Sequence, residues 1–466
     1  MEPLGPGFFL LDRRTEIRTP ADATPDAGLH IKVDDFFSNA GNRPLRSIEV
    51  RLPDGPTFGS RNLRMTIDGQ PVSPQSASNI DRRLMLTPFD PAWKRNQPRE
   101  IVTEWDLMPE PEGRGTVAAS ADAFYIADET ALPLWQAPAA PFARGGPVPL
   151  KAALTVMVPP DFRVLAPGKA LKPATVNGLI AHRYKIQPTR DFLPYVVAGR
   201  YVEQIARTRQ GEVSFWTLHP GDARQAETAA ARLADSMKAY TDFFGPATRT
   251  DSIVRVVEAP VNLPAEFGEA DGATGGGSFP GGVLLDRRAL TAGLTNESTL
   301  QLAEYELART WFGWTVRPAP ETQILMGRGV GLFGLVIAAE RRSADERRRA
   351  VAQILDRYDA SRRIAADRRL VEPPVGYSRA ERISTGYRAA LFFVALEDLC
   401  GRANLSAAFH EIVHSRGGDI TEDEELRAAT EDTYGHDLAQ MFRDWLNHPE
   451  VPEEFRARYG NSAGMH

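Results

Sequence analysis

The hydrophobic pattern of this chain changes from strand spacing to helical spacing at about residue 220, and this change limits the folds that it can adopt. Between about 31 and 218, short apolar runs such as 101–107 and 213–218 are separated by Pro and Gly, which predicts antiparallel sheets. From about 221 onward, apolar residues recur at helical spacing, as in 223–244. The sequence therefore predicts an α+β protein whose β-rich part precedes a mixed and then largely helical part.

Three segments follow from this pattern. Residues 1–30 are rich in Pro, Gly and Asp without a sustained period, and we predict an extended N-terminal arm or a partial edge strand there. Residues 31–218 are predicted to form a β-rich domain, and residues 219–466 a mixed domain that becomes helical. A length of 466 residues is too large for one ordinary core and suits two or three domains.

The most informative motif is the run 305–313, which reads YELARTWFG. A zinc-peptidase helix reads H-E-x-x-H, in which two His bind Zn²⁺ from one helix face and the Glu activates a bound water. The run resembles the zinc helix of the gluzincin aminopeptidases, aminopeptidase N and its relatives, which reads HELAHQWFG. This resemblance puts Tyr305 and Arg309 at the two His positions and Glu306 at the general base. The family's third ligand, a Glu eighteen residues further on, corresponds to Arg328.

Two further segments carry the same resemblance. Residues 275–281 read GGGSFPG, similar to the substrate-binding G-[AG]-M-E-N-P-G, so Ser278 stands at the amine-binding Glu and Phe279 at the Asn. Residues 386–390 read GYRAA, similar to Y-x-K-G-A, so Gly386 stands at the Tyr that stabilises the tetrahedral intermediate, and Tyr387 is one residue away. The resemblance implies a β saddle or sandwich domain, then a thermolysin-like mixed domain and a helical bundle.

The replacements at the three ligand positions oppose zinc binding. A guanidinium has no lone pair to offer, and one held about 4 Å from Zn²⁺ costs about 8 kcal/mol at an effective dielectric of ~20. A phenol with a pKa of about 10 stays protonated near neutrality. We therefore predict that zinc is absent there and that Arg309 and Arg328 form an ion-pair cluster around Glu306.

A literal zinc motif occurs elsewhere, as HEIVH at 410–414. In this alternative, His410 and His414 are zinc ligands and Glu411 is the general base, with His436 or Glu431 as a third ligand supplied by tertiary folding. The competing interpretation is an ordinary helix in the C-terminal bundle, whose last-turn histidines are explained by the helix dipole. The sequence leaves both interpretations open.

These motifs favour a non-catalytic, aminopeptidase-like pseudopeptidase that has no cofactor and binds a peptide or protein or acts as a scaffold. The first alternative is a zinc-dependent metallopeptidase or hydrolase that uses the 410–414 motif. A second alternative is metal-independent catalysis in which Glu306 is a buried acid or base. A resemblance of fold does not identify the binding partner.

Composition narrows the classes of partner. The net charge is −6, with 61 acidic and 55 basic residues and no long basic run, which opposes a nucleic-acid partner. The longest apolar stretch, 329–339, is shorter than the roughly 20 residues that cross a bilayer, so we predict no membrane span. The start of the sequence lacks the pattern of a signal peptide, and we expect a cytoplasmic protein or an exported one whose leader has been removed.

Overall fold

The computed structural model describes residues 8–460, apart from 21–23, 42–43, 52–57, 77–83, 110–116, 128–130, 137–148, 188–194, 220–222, 248–252, 264–274, 375 and 417–419. The chain divides into two compact units. The first unit contains Met1–Tyr201 with Pro260–Asn262, and the second contains Val202–Ala259 with Leu263–His466.

The strands lie mainly in the first unit. In chain order they are Phe8–Arg18 (β1), Leu29–Asn39 (β2), Leu45–Arg51 (β3), Phe58–Ile67 (β4), Gln70–Val72 (β5), Gln75–Ser76 (β6), Leu84–Trp93 (β7), Pro98–Pro109 (β8), Val117–Ala119 (β9), Ala123–Ile126 (β10), Leu134–Gln136 (β11), Lys151–Val158 (β12), Arg163–Leu165 (β13), Lys169–Ala170 (β14), Ala174–Val176 (β15), Leu179–Ile186 (β16), Val196–Gly199 (β17), Val202–Arg207 (β18), Glu212–Thr217 (β19), Ile253–Glu258 (β20), Gly276–Phe279 (β21), Gly282–Leu285 (β22), Arg317–Pro318 (β23) and Ile420–Thr421 (β24).

The described α-helices all lie in the second unit. They are Ala223–Phe244 (α1), Arg287–Thr291 (α2), Glu297–Ala308 (α3), Val330–Arg342 (α4), Ala344–Arg362 (α5), Arg379–Cys400 (α6), Arg402–Arg416 (α7), Asp423–Tyr434 (α8), Ala439–Asn447 (α9) and Glu453–Tyr459 (α10). A short 3-10 turn, Pro320–Thr322, and a π-helical segment, Gln323–Gly329, lead directly into α4.

The first unit consists of three sheets. The largest has the strand order β14-β16-β12-β1-β2-β8-β4-β5, with β15 also paired to β16; the other two have the orders β13-β17-β10-β9 and β11-β3-β7-β6. Strand β2 alternates buried and half-buried residues along its whole length, so one face of the largest sheet is apolar and the other is polar. The apolar face, which includes Leu29, Ile31 and Val33, forms part of the core of this unit.

Residues 1–30 were predicted to form an extended arm or a partial edge strand, but the 11-residue strand β1 lies there inside the largest sheet, between β12 and β2. Strand β1 pairs antiparallel with β2 and parallel with β12. A β-bulge between Leu10 and Asp12 shifts the register, so the buried residues Phe8, Leu10 and Ile17 do not follow one continuous alternation. This irregularity explains why the sequence pattern did not indicate a long interior strand.

The boundary between the two units also differs from the predicted one at 218/219. Strands β18 and β19 lie before residue 219 but pair in the mixed sheet of the second unit, whose order is β18-β19-β20-β22-β21. The division therefore falls between Tyr201 and Val202. A strand pattern by itself does not show which sheet a strand joins, and this is why the boundary was displaced.

The second unit packs its helices around a large aromatic core. Phe243 and Phe244 of α1 contact Phe333 of α4 and Phe409 of α7 through ring contacts of 5.1–5.8 Å between centroids. Helix α6 runs through this core and is buried on all sides over most of its length. A β-rich N-terminal part followed by a helical C-terminal part is confirmed, and the fold class is α+β.

One continuous helix in the described part of the chain, Pro320–Arg342, satisfies the length and composition of a membrane span. It is longer than the apolar stretch 329–339 because the 3-10 and π-helical segments extend it toward its N-terminus. However, 83% of its most apolar window is buried inside the protein, as in a core helix.

Candidate functional site

Helix α3 carries the residues that the sequence singled out. It begins after Asn296, whose side chain accepts a hydrogen bond from the backbone of Ser298. It ends at Ala308, and Arg309 is the residue that caps its C-terminal end. Tyr305 and Glu306 are fully buried although Glu306 is an acidic residue. A buried carboxylate requires a charged or hydrogen-bonding partner, so Glu306 needs such a partner among the residues around it.

Arg309 is such a partner. Its Nη1 donates to both carboxylate oxygens of Glu306, at 3.1 and 2.9 Å. The two residues are three positions apart, which places them on neighbouring turns of one helix face. Arg309 keeps about a third of its side chain exposed, whereas Glu306 has none, so the guanidinium covers the carboxylate from the solvent side.

Arg328 completes a four-residue group that we call the Tyr305 cluster: Tyr305, Glu306, Arg309 and Arg328. The guanidinium carbons of Arg309 and Arg328 lie 5.4 and 6.0 Å from the centroid of the Tyr305 ring, within cation–π distance. Arg328 comes from the π-helical segment, between Gly327 and Gly329. The structure therefore brings together all four residues that the resemblance placed at a metal site.

Three glycines make the room that the Tyr305 cluster occupies. A Cβ added to Gly331 would lie 2.7 Å from both Arg309 Cγ and Tyr305 Cε2, and one added to Gly276 would lie 3.0 Å from Glu306 Cγ. At Gly386, an added Cβ would collide with Arg328 Cδ. Gly386 and Gly276 lie in motifs noted in the sequence and Gly331 does not, but only packing shows which side chain lies opposite each glycine.

The candidate substrate-binding positions have different surroundings. Phe279 is buried in the core, and its ring lies against Gly282, whereas Ser278 is half-buried and its Oγ accepts a 3.3 Å hydrogen bond from Trp314 Nε1. Tyr387 is also buried, and of the pair at 386 and 387 it is Gly386 that Arg328 covers. Residues 267–274 of the glycine-rich stretch before β21 lie outside the described residues.

The rival motif 410–414 lies on α7, and its three polar residues are exposed. His410 Nε2 lies 3.2 Å from the carbonyl oxygen of Asp242, near the C-terminal end of α1, where Ser406 Oγ also donates to the carbonyl of Phe243. Both side chains therefore satisfy carbonyl groups that the end of a helix leaves open. Among the described residues, no group of three His, Cys, Asp or Glu is arranged to hold a metal ion.

The suggested third ligands for that motif have other partners. Both carboxylate oxygens of Glu431 accept from Arg427 Nη1, and Oε1 also accepts from the backbone of Leu438. The ring of His436 packs against that of Tyr434, at 4.8 Å between centroids. These contacts explain the two residues without a metal.

Two buried ionic networks near the site were not found from the sequence. Glu304, next to Tyr305 in the chain, accepts hydrogen bonds from Arg232, Ser236 and Arg342 and so anchors α3 from behind. Arg388, two residues after Gly386, forms an ion pair with buried Asp367 at 2.7 Å. The partners are distant in sequence, so no local pattern connects them.

Substitution of Gly386 by Ala tests the packing of Arg328. The added methyl group collides with the Arg328 side chain, which is flexible, so we expect a loss of roughly 1–3 kcal/mol in unfolding free energy. Chemical denaturation of the single variant and of Gly386→Ala combined with Arg328→Ala measures this. Equal destabilisation in both variants would show that Arg328 does not occupy the space beside Gly386.

Comparison with known proteins shows the fold. No family model matches the chain, and no curated protein matches it. Solved structures do. The M1 zinc metallopeptidase of Deinococcus radiodurans is 17% identical, with a TM-score of 0.65 over 99% of this chain and 98% of that chain. This chain has the fold of the M1 zinc metallopeptidases.

Mutant forms of such enzymes give similar agreement. A mutant of the Deinococcus radiodurans enzyme bound to a Tyr-Ser-Ala substrate is 18% identical, with a TM-score of 0.64 over 96% of each chain. A mutant two-domain M1 zinc metallopeptidase bound to L-arginine is 16% identical, with a TM-score of 0.64 over 97% of this chain and 96% of that chain. The structural similarity extends over nearly the whole length, which is more than the segment 275–390 that contains the motifs recognised in the sequence.

Proposed function

We propose that this protein is a non-catalytic member of the aminopeptidase-like fold, in which the Tyr305 cluster stands where related enzymes hold zinc. The observation that carries the proposal is the contact of Arg309 with both oxygens of Glu306, with the Arg328 guanidinium on the same tyrosine ring. Tyr305, Arg309 and Arg328, which are not zinc ligands, meet at the Tyr305 ring, and Arg309 also contacts the Glu306 carboxylate. Their meeting in space supports the register that the sequence resemblance suggested.

The side chains of this cluster do not fit a zinc ion. Arg309 and Arg328 offer only N–H donors, and Tyr305 lies beneath both guanidinium groups. Glu306 is the single anionic group in the cluster, and Arg309 already donates to both of its oxygens. A divalent cation at this position would have to displace a guanidinium from a buried carboxylate without gaining a replacement ligand.

The same contacts argue for a structural role of Glu306. A general base must present a free lone pair to the proton that it removes. In the Tyr305 cluster, the carboxylate is fully buried and covered by Arg309. Glu306 then holds Arg309 in place instead of activating water, and this favours the non-catalytic function over metal-independent catalysis.

A peptide or protein is the partner that this fold supports. Strand β21 lies at the edge of the mixed sheet and, among the described strands, pairs only with β22. An edge strand of this kind can accept an extended peptide as an additional strand. Ser278 on β21 cannot hold a free amino group as a Glu does, so the proposed ligand is an extended chain bound through its backbone.

Metal analysis separates this proposal from the zinc hydrolase that would use the 410–414 motif. We expect less than about 0.1 zinc per chain in the purified protein and in His410→Ala after dialysis against micromolar zinc. Elemental analysis measures the metal, and a screen with aminoacyl and ester substrates measures activity. The matched control is His448→Ala, a change of another exposed histidine in the same unit that neither alternative uses as a ligand.

Each of the alternative functions predicts a different experimental result. Stoichiometric zinc in the wild type that disappears in His410→Ala establishes the hydrolase and excludes the non-catalytic function. Turnover without metal that is lost in Glu306→Gln establishes metal-independent catalysis. Absence of both, together with binding of a backbone-extended peptide, supports the proposal.

A further inference from the structure

A row of polar side chains crosses the largest sheet of the first unit. Arg18 of β1 is directly opposite His30 of β2, His30 is opposite Asp106 of β8, and Asp106 is opposite Arg61 of β4. Directly opposite residues project from the same face of a sheet. Because the alternate residues of β2 and β8 are buried, this row lies on the polar face.

The row lines a cavity of about 590 Å³. Met108, Met157 and Leu179 provide an apolar part of its wall, and Asn62 adds a polar group. A concave space with apolar walls and a few convergent polar groups is the usual form of a small-molecule site. Every residue of this site belongs to the first unit, so the inference does not depend on the function proposed above.

Asp106, the one acidic side chain among the described residues that line this cavity, is already bound within it. Its Oδ1 lies 3.1 Å from His30 Nδ1, and its Oδ2 accepts a 2.6 Å hydrogen bond from Asn62 Nδ2. Partial burial raises the pKa of Asp106, but the bonds from Asn62 and His30 outweigh it and hold the pKa below its usual value. The carboxylate is therefore ionised at neutral pH, and its two oxygens are occupied.

The two arginines lack such a partner. Among the described residues, neither Arg18 nor Arg61 forms an ion pair, although Arg61 is directly opposite Asp106. Both guanidinium-bearing side chains are exposed at the cavity. The cavity thus has two positive groups against one carboxylate.

The adjacent row of the same sheet shows that this surplus of positive charge is local to the cavity. There Glu16 is opposite Lys32, Lys32 is opposite Glu104, and Glu104 is opposite Arg64, so the signs alternate and the charges cancel. A general excess of positive charge on the polar face would not produce such a balanced row.

The backbone next to Arg61 is also unusual. Asn62 has a φ of 55°, in the left-handed region, and lies in the bulge between Arg61 and Arg64. Bulges redirect side chains at binding sites, and left-handed residues other than glycine persist where the surroundings require them. Here the bulge directs Asn62 toward Asp106, which leaves Arg61 available to another acceptor.

We propose that this cavity binds a small organic anion, a carboxylate or phosphate ester with an apolar body. Arg18 and Arg61 donate to its oxygens, and Met108, Met157 and Leu179 contact its apolar part. Strands lie about 4.8 Å apart, so the two arginines begin about 14 Å apart, and their long side chains reach a ligand between them from both sides. Guanidinium groups suit both carboxylate and phosphate oxygens.

Calorimetric titration tests the proposal with phenyl phosphate, octanoate and inorganic phosphate as probes, at physiological ionic strength. We expect saturable binding of phenyl phosphate or octanoate, with whichever binds identifying the acidic group, and weaker binding of inorganic phosphate because it lacks an apolar part. Arg18→Gln and Arg61→Gln should each weaken binding at least about tenfold. Arg64→Gln, the matched control one row away, should change it less than about threefold.

Three results would overturn the inference. They are the absence of saturable binding of all three probes, an equal loss of affinity in Arg64→Gln and Arg61→Gln, and binding of inorganic phosphate as tight as that of phenyl phosphate. The substituted arginines are exposed, so thermal unfolding of each variant should match the wild type and confirm that any loss arises at the cavity.

Discussion

Substitution of Tyr305 and Arg309 by His and of Arg328 by Glu should create a zinc site with a dissociation constant of about 1 μM or tighter, about −8 kcal/mol. In the structure, Arg309 contacts Glu306, and the guanidinium groups of Arg309 and Arg328 both lie over the ring of Tyr305. Two His four positions apart on one helix, with a carboxylate from the next helix, form the usual three-ligand arrangement of a zinc enzyme. The substitutions also remove two positive charges that repel a divalent cation.

The control for this experiment is a variant that removes the charges without supplying ligands, Tyr305→Phe with Arg309→Gln and Arg328→Gln. Competition with a chromogenic chelator measures the affinity of both proteins. Zinc affinity in the control equal to that in the ligand variant would show that the gain is electrostatic and not coordination. No gain in either variant would show that the register against the zinc helix is wrong.

Substitution of Arg388 by Met should destabilise the second unit by about 3–5 kcal/mol. Arg388 and Asp367 are both fully enclosed at their side chains, so the loss of one leaves a buried charge without its partner. Arg388 also donates to the carbonyl groups of Trp445, His448 and Arg368, which joins α6 to the segments around α9. At about 2–4 °C per kcal/mol, the melting temperature should fall on the order of 10 °C.

Two further variants identify the cause of this loss. Addition of Asp367→Asn to Arg388→Met removes the unpaired charge and keeps a side-chain hydrogen-bond acceptor for Tyr358, so we expect about 1–2 kcal/mol to be recovered. Arg349→Met, which breaks an exposed pair with Glu346, should change the stability by less than about 0.5 kcal/mol. A double variant no more stable than Arg388→Met alone would show that the buried charge is not the source of the loss.

Local features of the fold could be predicted because they depend on residues close in sequence. The run 101–107 indicated a strand and lies in β8, and the helical spacing over 223–244 matches α1. The ion pair between Glu306 and Arg309 spans three residues of one helix, so spacing was sufficient to expect it. The interior position of β1 was not predicted because its bulge interrupts the alternation on which such predictions depend.

The residue types of the candidate site could be recognised from the sequence, whereas the packing that encloses them could not. The replacement of zinc-binding residue types by Tyr305, Arg309 and Arg328 could be recognised from a short motif. The sequence did not indicate that Gly276 and Gly331 lie against these side chains, although Gly276 belongs to a recognised motif. A glycine in a sequence shows only that a side chain is absent at that position. The side chain that fills the space belongs to another helix or strand, and the sequence does not identify it.

The sequence by itself determined the order of strand and helix and the residue types that oppose metal binding, because both depend on spacing and on side-chain chemistry. Only the tertiary structure decided which distant groups meet. It joined Arg328 to Tyr305, His410 to the carbonyl of Asp242, and Arg388 to Asp367. Partners of this kind meet only when long segments of the chain fold around a common core. A short-range sequence pattern does not show which segments will come together.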